Sequence, residues 1–174
     1  MSDPRYPIGK FTYDGPPTEA QCRKFIEDIE QTPAALRTAV HGFSAQQMEA
    51  PYRDGGWTVR QVVHHLADSH MNAFIRFKLA LTEDEPTIKP YKEDQWAKLA
   101  DVQSTAPEVS LALMESLHER WVRLLRSLDP KEWKRTFRHP ERGVVSLEYN
   151  VAMYAWHGRH HVAHITELRS RMRW

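Results

Sequence analysis

The stretch TVRQVVHHLADSHMNAFIRFKLALT, residues 58–82, carries the strongest structural signal in the chain. A stripe of mostly apolar residues recurs in it at spacings of three and four, which is the period of an amphipathic helix. The stripe consists of Val59, Val62, Val63, Leu66, His70, Ala73, Phe74 and Phe77. Thr58 and Gln61 stand three residues apart, in the pattern of a capping box, so we expect the helix to begin directly behind Thr58.

Three further segments show the same helical period. They begin behind Thr18, at about Pro107 and behind Ser146, and the last two end at about Leu128 and residue 172. Pro33 either kinks the first of these helices or begins a second helix behind Thr32. Because each long helix has one apolar stripe, the four must bury their stripes against one another, which predicts an all-α four-helix bundle.

The segments between the long helices are short or irregular. Proline and glycine in residues 1–17 indicate an irregular N-terminal arm. The remaining connections are predicted as a loop at 51–57, a short helix at 92–101, a short helix begun by Asp129–Pro130, and a small hairpin or long loop at 137–147. A chain of 174 residues fits one domain, so we expect residues 1–174 to form a single unit.

Composition excludes several classes of function. The net charge is +1, from 24 basic and 23 acidic side chains, so no overall field favours nucleic acid or an anionic membrane. The single cysteine, Cys22, excludes an internal disulfide framework and a thiolate metal cluster. The first residues lack the pattern of a signal peptide, and no apolar run approaches the roughly 18 to 20 residues of a membrane span. The cytoplasm is therefore the expected location.

Seven of the ten histidines fall into two groups inside predicted helices. They are His64, His65 and His70 in the first group, and His157, His160, His161 and His164 in the second. On a helix the second group spans about 100° of arc, so both i, i+4 pairs, and the i, i+3 pairs as well, can present two imidazoles to one metal ion. Spacing alone does not choose among these pairs.

The first group is the natural source of a third ligand, because a catalytic metal centre usually has three protein ligands and one open position. Periodicity places His70 at the centre of the stripe, His65 at its edge and His64 away from it.

Single buried or surface histidines are common without a metal. Seven close imidazoles are harder to explain in that way, since burying them unpaired is costly and protonated imidazoles repel one another.

Several segments of the chain resemble one known family. YPIGKF (6–11), PYRDGGWTVRQVVHHLADSHMN (51–72), IRFKLALTE (75–83) and HGRHHVAHITEL (157–168) are similar to the YfiT-like branch of the DinB superfamily. The resemblance runs over nearly the whole chain and implies a DinB-like four-helix bundle with short extra helices.

This resemblance also implies a function, a metal site and an assembly. It implies a metal-dependent hydrolase that forms a cytoplasmic homodimer. Each chain is expected to hold one divalent ion, Zn²⁺ or Ni²⁺, through three histidines, with a water molecule completing the shell. Carried over residue by residue, the ligands implied by the family are His65, His160 and His164. The roles of His64, His70, His157 and His161 stay open, as do the residues behind the ligands.

Two other functions compete with hydrolysis. The open position on the metal can take a thiol as thiolate, and related branches are thiol-dependent transferases that use low-molecular-weight thiols such as bacillithiol. A thiol S-transferase is thus the enzymatic alternative. A non-catalytic, metal-stabilised bundle is the other alternative, and it requires a fourth protein ligand such as His161 or His70. The substrate is expected to be a small molecule, and the sequence does not identify it.

Overall fold

Four long helices dominate the computed structural model, which describes residues 3–174. They are α1 (Glu19–Val40), α3 (Val59–Thr82), α6 (Pro107–Ser127) and α7 (Leu147–Met172). The short helices α2 (Ala45–Met48), α4 (Glu93–Trp96) and α5 (Ala100–Ser104) lie in the connections, with a 3₁₀ helix at Glu132–Lys134. The predicted four-helix bundle is confirmed. The segment predicted as one short helix at 92–101 is instead the two short helices α4 and α5.

Hydrogen-bonded caps fix where the long helices begin. The Thr58 side chain accepts a hydrogen bond from the Gln61 backbone N–H, and the Gln61 side chain accepts one from the Thr58 backbone N–H. Thr18 makes the equivalent pair of bonds at the start of α1, and Ser146 caps α7. Such caps satisfy backbone N–H groups that have no partner within the helix. Pro33 lies inside α1, which continues through it without beginning a second helix.

A small antiparallel hairpin follows the 3₁₀ helix and leads directly into α7. It consists of β1 (Thr136–His139) and β2 (Gly143–Ser146), with Phe137 opposite Val145. The inward side chains Phe137 and Val145 are buried against the bundle, so the hairpin closes one end of the core. The predicted hairpin is confirmed.

The apolar core is divided into two clusters. One surrounds Phe77 and Trp121, and the other surrounds Leu66 and Met114. Buried histidines occupy the level between the two clusters on α3, α6 and α7. They are His70 and His118, which are 0% and 2% exposed, together with His65, His160, His161 and His164. The bundle therefore contains a polar layer across its middle.

Contact between α1 and α7 is unusually close at Gly158. A Cβ atom placed on Gly158 would lie 2.6 Å from Oγ1 and 2.8 Å from Cγ2 of Thr32, which is buried on α1. Glycine normally weakens a helix interior, so its presence here is explained by the lack of room for a side chain. This contact keeps α7 seated against α1, and with it the histidines that α7 carries.

In the described part of the chain, no helix has both the length and the apolarity needed to cross a membrane.

Replacing Gly158 with valine should lower the free energy of unfolding by about 2 kcal/mol, because the side chain would overpack against Thr32. Urea unfolding followed by circular dichroism measures this. The double variant Gly158→Val/Thr32→Ala should recover part of the loss, because the smaller side chain makes room. Ala163→Val, a half-buried control on the same helix, should change stability by less than about 0.5 kcal/mol. Equal losses in the two valine variants would contradict the packing argument.

Candidate metal centre

Three histidines from two helices converge in the polar layer. His65 lies on α3, and His157 and His161 lie one turn apart on α7. One ring nitrogen from each lies within 4.8 Å of the corresponding nitrogens of the other two. His157 and His161 form one of the i, i+4 pairs that the sequence left open.

The three imidazole rings of this group lie in close contact. Nε2 of His65 lies 3.3 Å from Nε2 of His157. The ring centroids of His65 and His161 are 4.8 Å apart, and those of His157 and His161 are 4.5 Å apart. His65 is 7% exposed and His161 is 9% exposed, so little water reaches these nitrogens.

The other two predicted ligands lie beside this group. His160 stacks on Trp156 with ring centroids 4.2 Å apart, and its Nδ1 is buried without a hydrogen-bond partner. His164 stacks on Tyr52 at 4.0 Å. Within residues 3–174, the ring nitrogens that lie within 4.8 Å of one another belong to His65, His157 and His161. His160 and His164 are not part of this group. The ligand set His65, His160 and His164 therefore stays a prediction, and the geometry favours a different pair on α7.

A chain of hydrogen bonds assigns the protonation of His157. It starts at the backbone carbonyl of Ile29, which can only accept, so His118 donates through Nδ1 at 2.6 Å. Neutral His118 then accepts through Nε2 from Nδ1 of His70 at 2.9 Å. Nε2 of His70 in turn accepts from Nδ1 of His157 at 3.1 Å. The remaining nitrogen of His157, Nε2, is left with its lone pair directed at the group.

A shorter chain assigns His161 in the same way. The carbonyl of Arg5, in the N-terminal arm, accepts from Nε2 of His164 at 3.3 Å. Nδ1 of neutral His164 therefore carries a lone pair, and it lies 3.4 Å from Nδ1 of His161, which donates to it. This leaves a lone pair on Nε2 of His161. Two independent carbonyl oxygens thus set both α7 histidines to the tautomer that a metal ion needs.

Burial keeps the whole set of imidazoles neutral. Desolvation lowers the pKa of His65 to about 3, and that of His118 to about 4. Desolvation also holds the pKa values of His70, His157 and His161 well below their usual range, and neighbouring histidines add to the effect. Neutral imidazole is the form that binds a metal, so the group is prepared for binding at neutral pH.

The donor set fits a divalent ion such as zinc. Two nitrogens bound at about 2.1 Å with a tetrahedral angle stand about 3.4 Å apart, close to the 3.3 Å between His65 and His157. Imidazole nitrogens suit zinc, nickel, copper and iron. His65 and His157 also line a cavity of about 120 Å³, so the group faces space that a small molecule can enter.

The loop before α3 covers the group with aromatic rings. Trp57 lies over His65 with ring centroids 4.5 Å apart, and it lies parallel to His161 at 6.3 Å. Gly55, at a φ of 65°, supplies the left-handed turn that brings Trp57 into this position. The loop therefore shields one side of the imidazoles from water.

The sequence did not single out His118 or the carbonyl of Arg5. His118 stands four residues after Met114 and three before Trp121, so it falls on the apolar stripe of α6. A histidine on such a stripe is a detectable signal for a buried partner. The arm offers no such signal, because a backbone carbonyl is common to every residue.

Comparison with known proteins places these features in a family. The sequence model of the DinB superfamily matches residues 28–165. Relatives from Bacillus mycoides and Bacillus cereus, each named "Putative metal-dependent hydrolase", are 57% identical over 175 residues and cover 100% of both chains. The solved structure of YfiT from Bacillus subtilis, described as a probable metal-dependent hydrolase with an unusual four-helix bundle topology, superposes with a TM-score of 0.95. That match has 50% sequence identity and covers 98% of each chain. The predicted YfiT-like resemblance is confirmed, and the chain belongs to the DinB superfamily.

Proposed function

We propose that the chain is a metal-dependent hydrolase whose ion is held by His65, His157 and His161. The observation that carries this proposal is the convergence of three neutral imidazoles, two of which are fixed with lone pairs facing the group. The names of the relatives support the reaction class. The competing ligand assignment is the set His65, His160 and His164 implied by the family resemblance.

The residues of the chain would orient the ion and control access to it. When bound, a divalent ion supplies Lewis-acid activation of water or of a substrate oxygen. Three neutral ligands leave the full positive charge of that ion available for this chemistry. His70 and His118 hold His157, His164 holds His161, and Trp57 excludes solvent from one side. The cavity beside His65 and His157 is where a small substrate would enter.

Zinc or nickel, one ion per chain, is proposed from the family resemblance, and the all-imidazole donor set is compatible with either metal. A single domain is proposed from the chain length, a cytoplasmic location from the sequence pattern and the family resemblance, and a homodimer from that resemblance. Hydrolysis is placed ahead of thiol transfer because the relatives are named hydrolases.

Single alanine variants distinguish the two ligand assignments. We expect His157→Ala and His161→Ala to lose stoichiometric zinc, because each removes one of three ligands. His160→Ala should keep it. Elemental analysis after dialysis against one equivalent of zinc measures the difference, with the exposed His41→Ala as control. Retention of zinc by His157→Ala together with its loss from His160→Ala would overturn the proposed assignment and favour the competing one.

Replacing His118 with phenylalanine should weaken zinc binding about 10- to 100-fold, although His118 contacts no proposed ligand directly. The reason is that His70 loses its acceptor, so the tautomer of His157 is no longer fixed. Competition with a zinc chelator measures the affinity. His118→Gln, whose amide can both donate and accept, should lose less. Ser110→Ala, which breaks a 2.7 Å bond between Ser110 and His64 on the same pair of helices, is the matched control. An equal loss of affinity in Ser110→Ala would show a general packing effect instead.

Stability of the metal-free protein should fall as the pH drops from 7 to 5. The pKa values of His118 and His160 are lowered to about 4, whereas in the unfolded chain they lie near 6.5. Below pH 6.5 the unfolded state therefore binds protons that the folded state does not. Each such group costs about 1.4 kcal/mol of stability per pH unit until the pH reaches its folded pKa.

Urea unfolding at pH 7, 6 and 5 measures this dependence. The slope should be smaller in His118→Phe, which removes one of the groups. A free energy of unfolding that stays constant from pH 7 to pH 5 would contradict the neutral, buried state of these histidines.

A further inference from the structure

The cavity beside the metal centre extends away from it along two helices. His65, Ser69 and Arg76 share one face of α3, and Asn150, Tyr154 and His157 share the facing side of α7. The hairpin and the segment before α4 close the remaining sides. From His157 to Asn150 the cavity follows α7 for roughly 10 Å, at 1.5 Å per residue.

A buried amide nitrogen at the far end of this cavity has no hydrogen-bond partner within residues 3–174. Asn150 is 4% exposed, and its Nδ2 makes no hydrogen bond with any described residue. A buried donor left unpaired costs about 1 to 3 kcal/mol, so such a group usually meets a water molecule or a ligand. Asn150 therefore indicates that an acceptor occupies this end of the cavity.

Two arginines beside the same cavity are also without partners. Within residues 3–174, the guanidinium groups of Arg76 and Arg142 form no ion pair, whereas Arg60 and Arg138 each pair with a glutamate. Arg76 is half-buried on α3, and Arg142 lies in the turn of the hairpin. Arginine binds a carboxylate through two parallel N–H donors, and a low-dielectric wall strengthens the attraction.

His139 adds a further donor to this wall. Its Nδ1 accepts a hydrogen bond from the backbone N–H of Glu141 at 3.2 Å, so in the neutral ring the proton lies on Nε2. Burial lowers the pKa of His139, and the charges of Arg76 and Arg142 lower it further, which keeps the ring neutral.

Glu93 and Glu141 also line the cavity, but both are exposed to solvent. Their negative charges offset the positive charges of the two arginines, so the cavity has no excess positive charge that would favour a polyanion.

We propose that this cavity binds a single carboxylate of the substrate, held by Arg76, Arg142 and Asn150. The inference rests on the proposed function for the position of the reacting bond, which would lie at the metal centre. The substrate class is then a small carboxylic acid whose hydrolysed bond stands up to roughly 10 Å from the carboxylate along α7. The cavity volume of about 120 Å³ limits the group between them to a short chain.

Butyrate and its neutral analogue butyramide test the carboxylate site directly. They are titrated into the zinc-loaded full chain and, separately, into chelator-treated protein, where no metal can bind a carboxylate. Side-chain signals in ¹H–¹⁵N spectra are the readout. We expect butyrate to shift the Asn150 amide and the Arg76 Nε–H in both samples, and butyramide to shift neither at a tenfold higher concentration.

Charge-removing variants supply the energetic test. Arg76→Gln and Arg142→Gln should each weaken butyrate binding tenfold or more. Arg123→Gln, an exposed arginine on α6, is the matched control and should leave it unchanged. If Arg76→Gln fails to fold, Arg142→Gln on the exposed turn provides the same test. Equal binding of butyramide, equal affinity in Arg142→Gln and Arg123→Gln, or tighter binding of inorganic phosphate than of butyrate would overturn the proposal.

The two proposals fail in different ways. If zinc does not bind the histidines while butyrate still shifts Asn150 in chelated protein, the hydrolase proposal fails and the carboxylate site stands. If zinc binds through the proposed ligands but butyrate moves no signal in the cavity, the carboxylate site fails and the metal centre stands.

Discussion

The hydrogen bond from His118 to the carbonyl of Ile29 is the constraint on which the histidine layer depends. A carbonyl oxygen cannot donate, so this one bond determines which nitrogen of His118 carries its proton. The choice passes through His70 to His157 because each neutral ring has one donor and one acceptor. A structural bond on α1 thereby fixes the direction of a lone pair on α7.

This layer gives the bundle a polar level that an ordinary apolar core would not have. Buried polar groups are costly unless every donor finds an acceptor, and here most of them do. The exceptions in the described chain are Nε2 of His64, the hydroxyl of Tyr91, Nε1 of Trp121, Nδ2 of Asn150 and Nδ1 of His160. Two of these five atoms, on Asn150 and His160, lie on α7, the helix that also carries His157 and His161.

Much of the fold could be predicted from local sequence. Caps at Thr58 and Ser146 and the spacing of the apolar stripes gave the starts of α3 and α7, because these depend on bonds within a few residues. His64 lies off the predicted stripe but is buried, because α3 packs against α6 as well as α7. From the sequence we assign one apolar stripe to each helix, which does not predict that α3 is covered on two sides.

The candidate site was predictable only in part. The four histidines of α7 lie within about 100° of arc, so their spacing in the sequence does not distinguish one pair from another. What separates His157 and His161 from His160 and His164 is the rotation of α7 about its axis. That rotation depends on contacts distant in sequence, such as Gly158 against Thr32. The family resemblance supplied His65 and the kind of site. The long-range packing is the basis for the pair on α7 that we propose.

The carbonyl of Arg5 belongs to a segment without regular secondary structure, yet it terminates the hydrogen-bond chain that orients His161. The centre is thus completed by an irregular arm, which contacts α7 through bonds such as that from Nε1 of Trp156 to the carbonyl of Gly9. A change in the arm that displaces the carbonyl of Arg5 would therefore alter the hydrogen bonds that orient His161, although the arm contributes no proposed ligand.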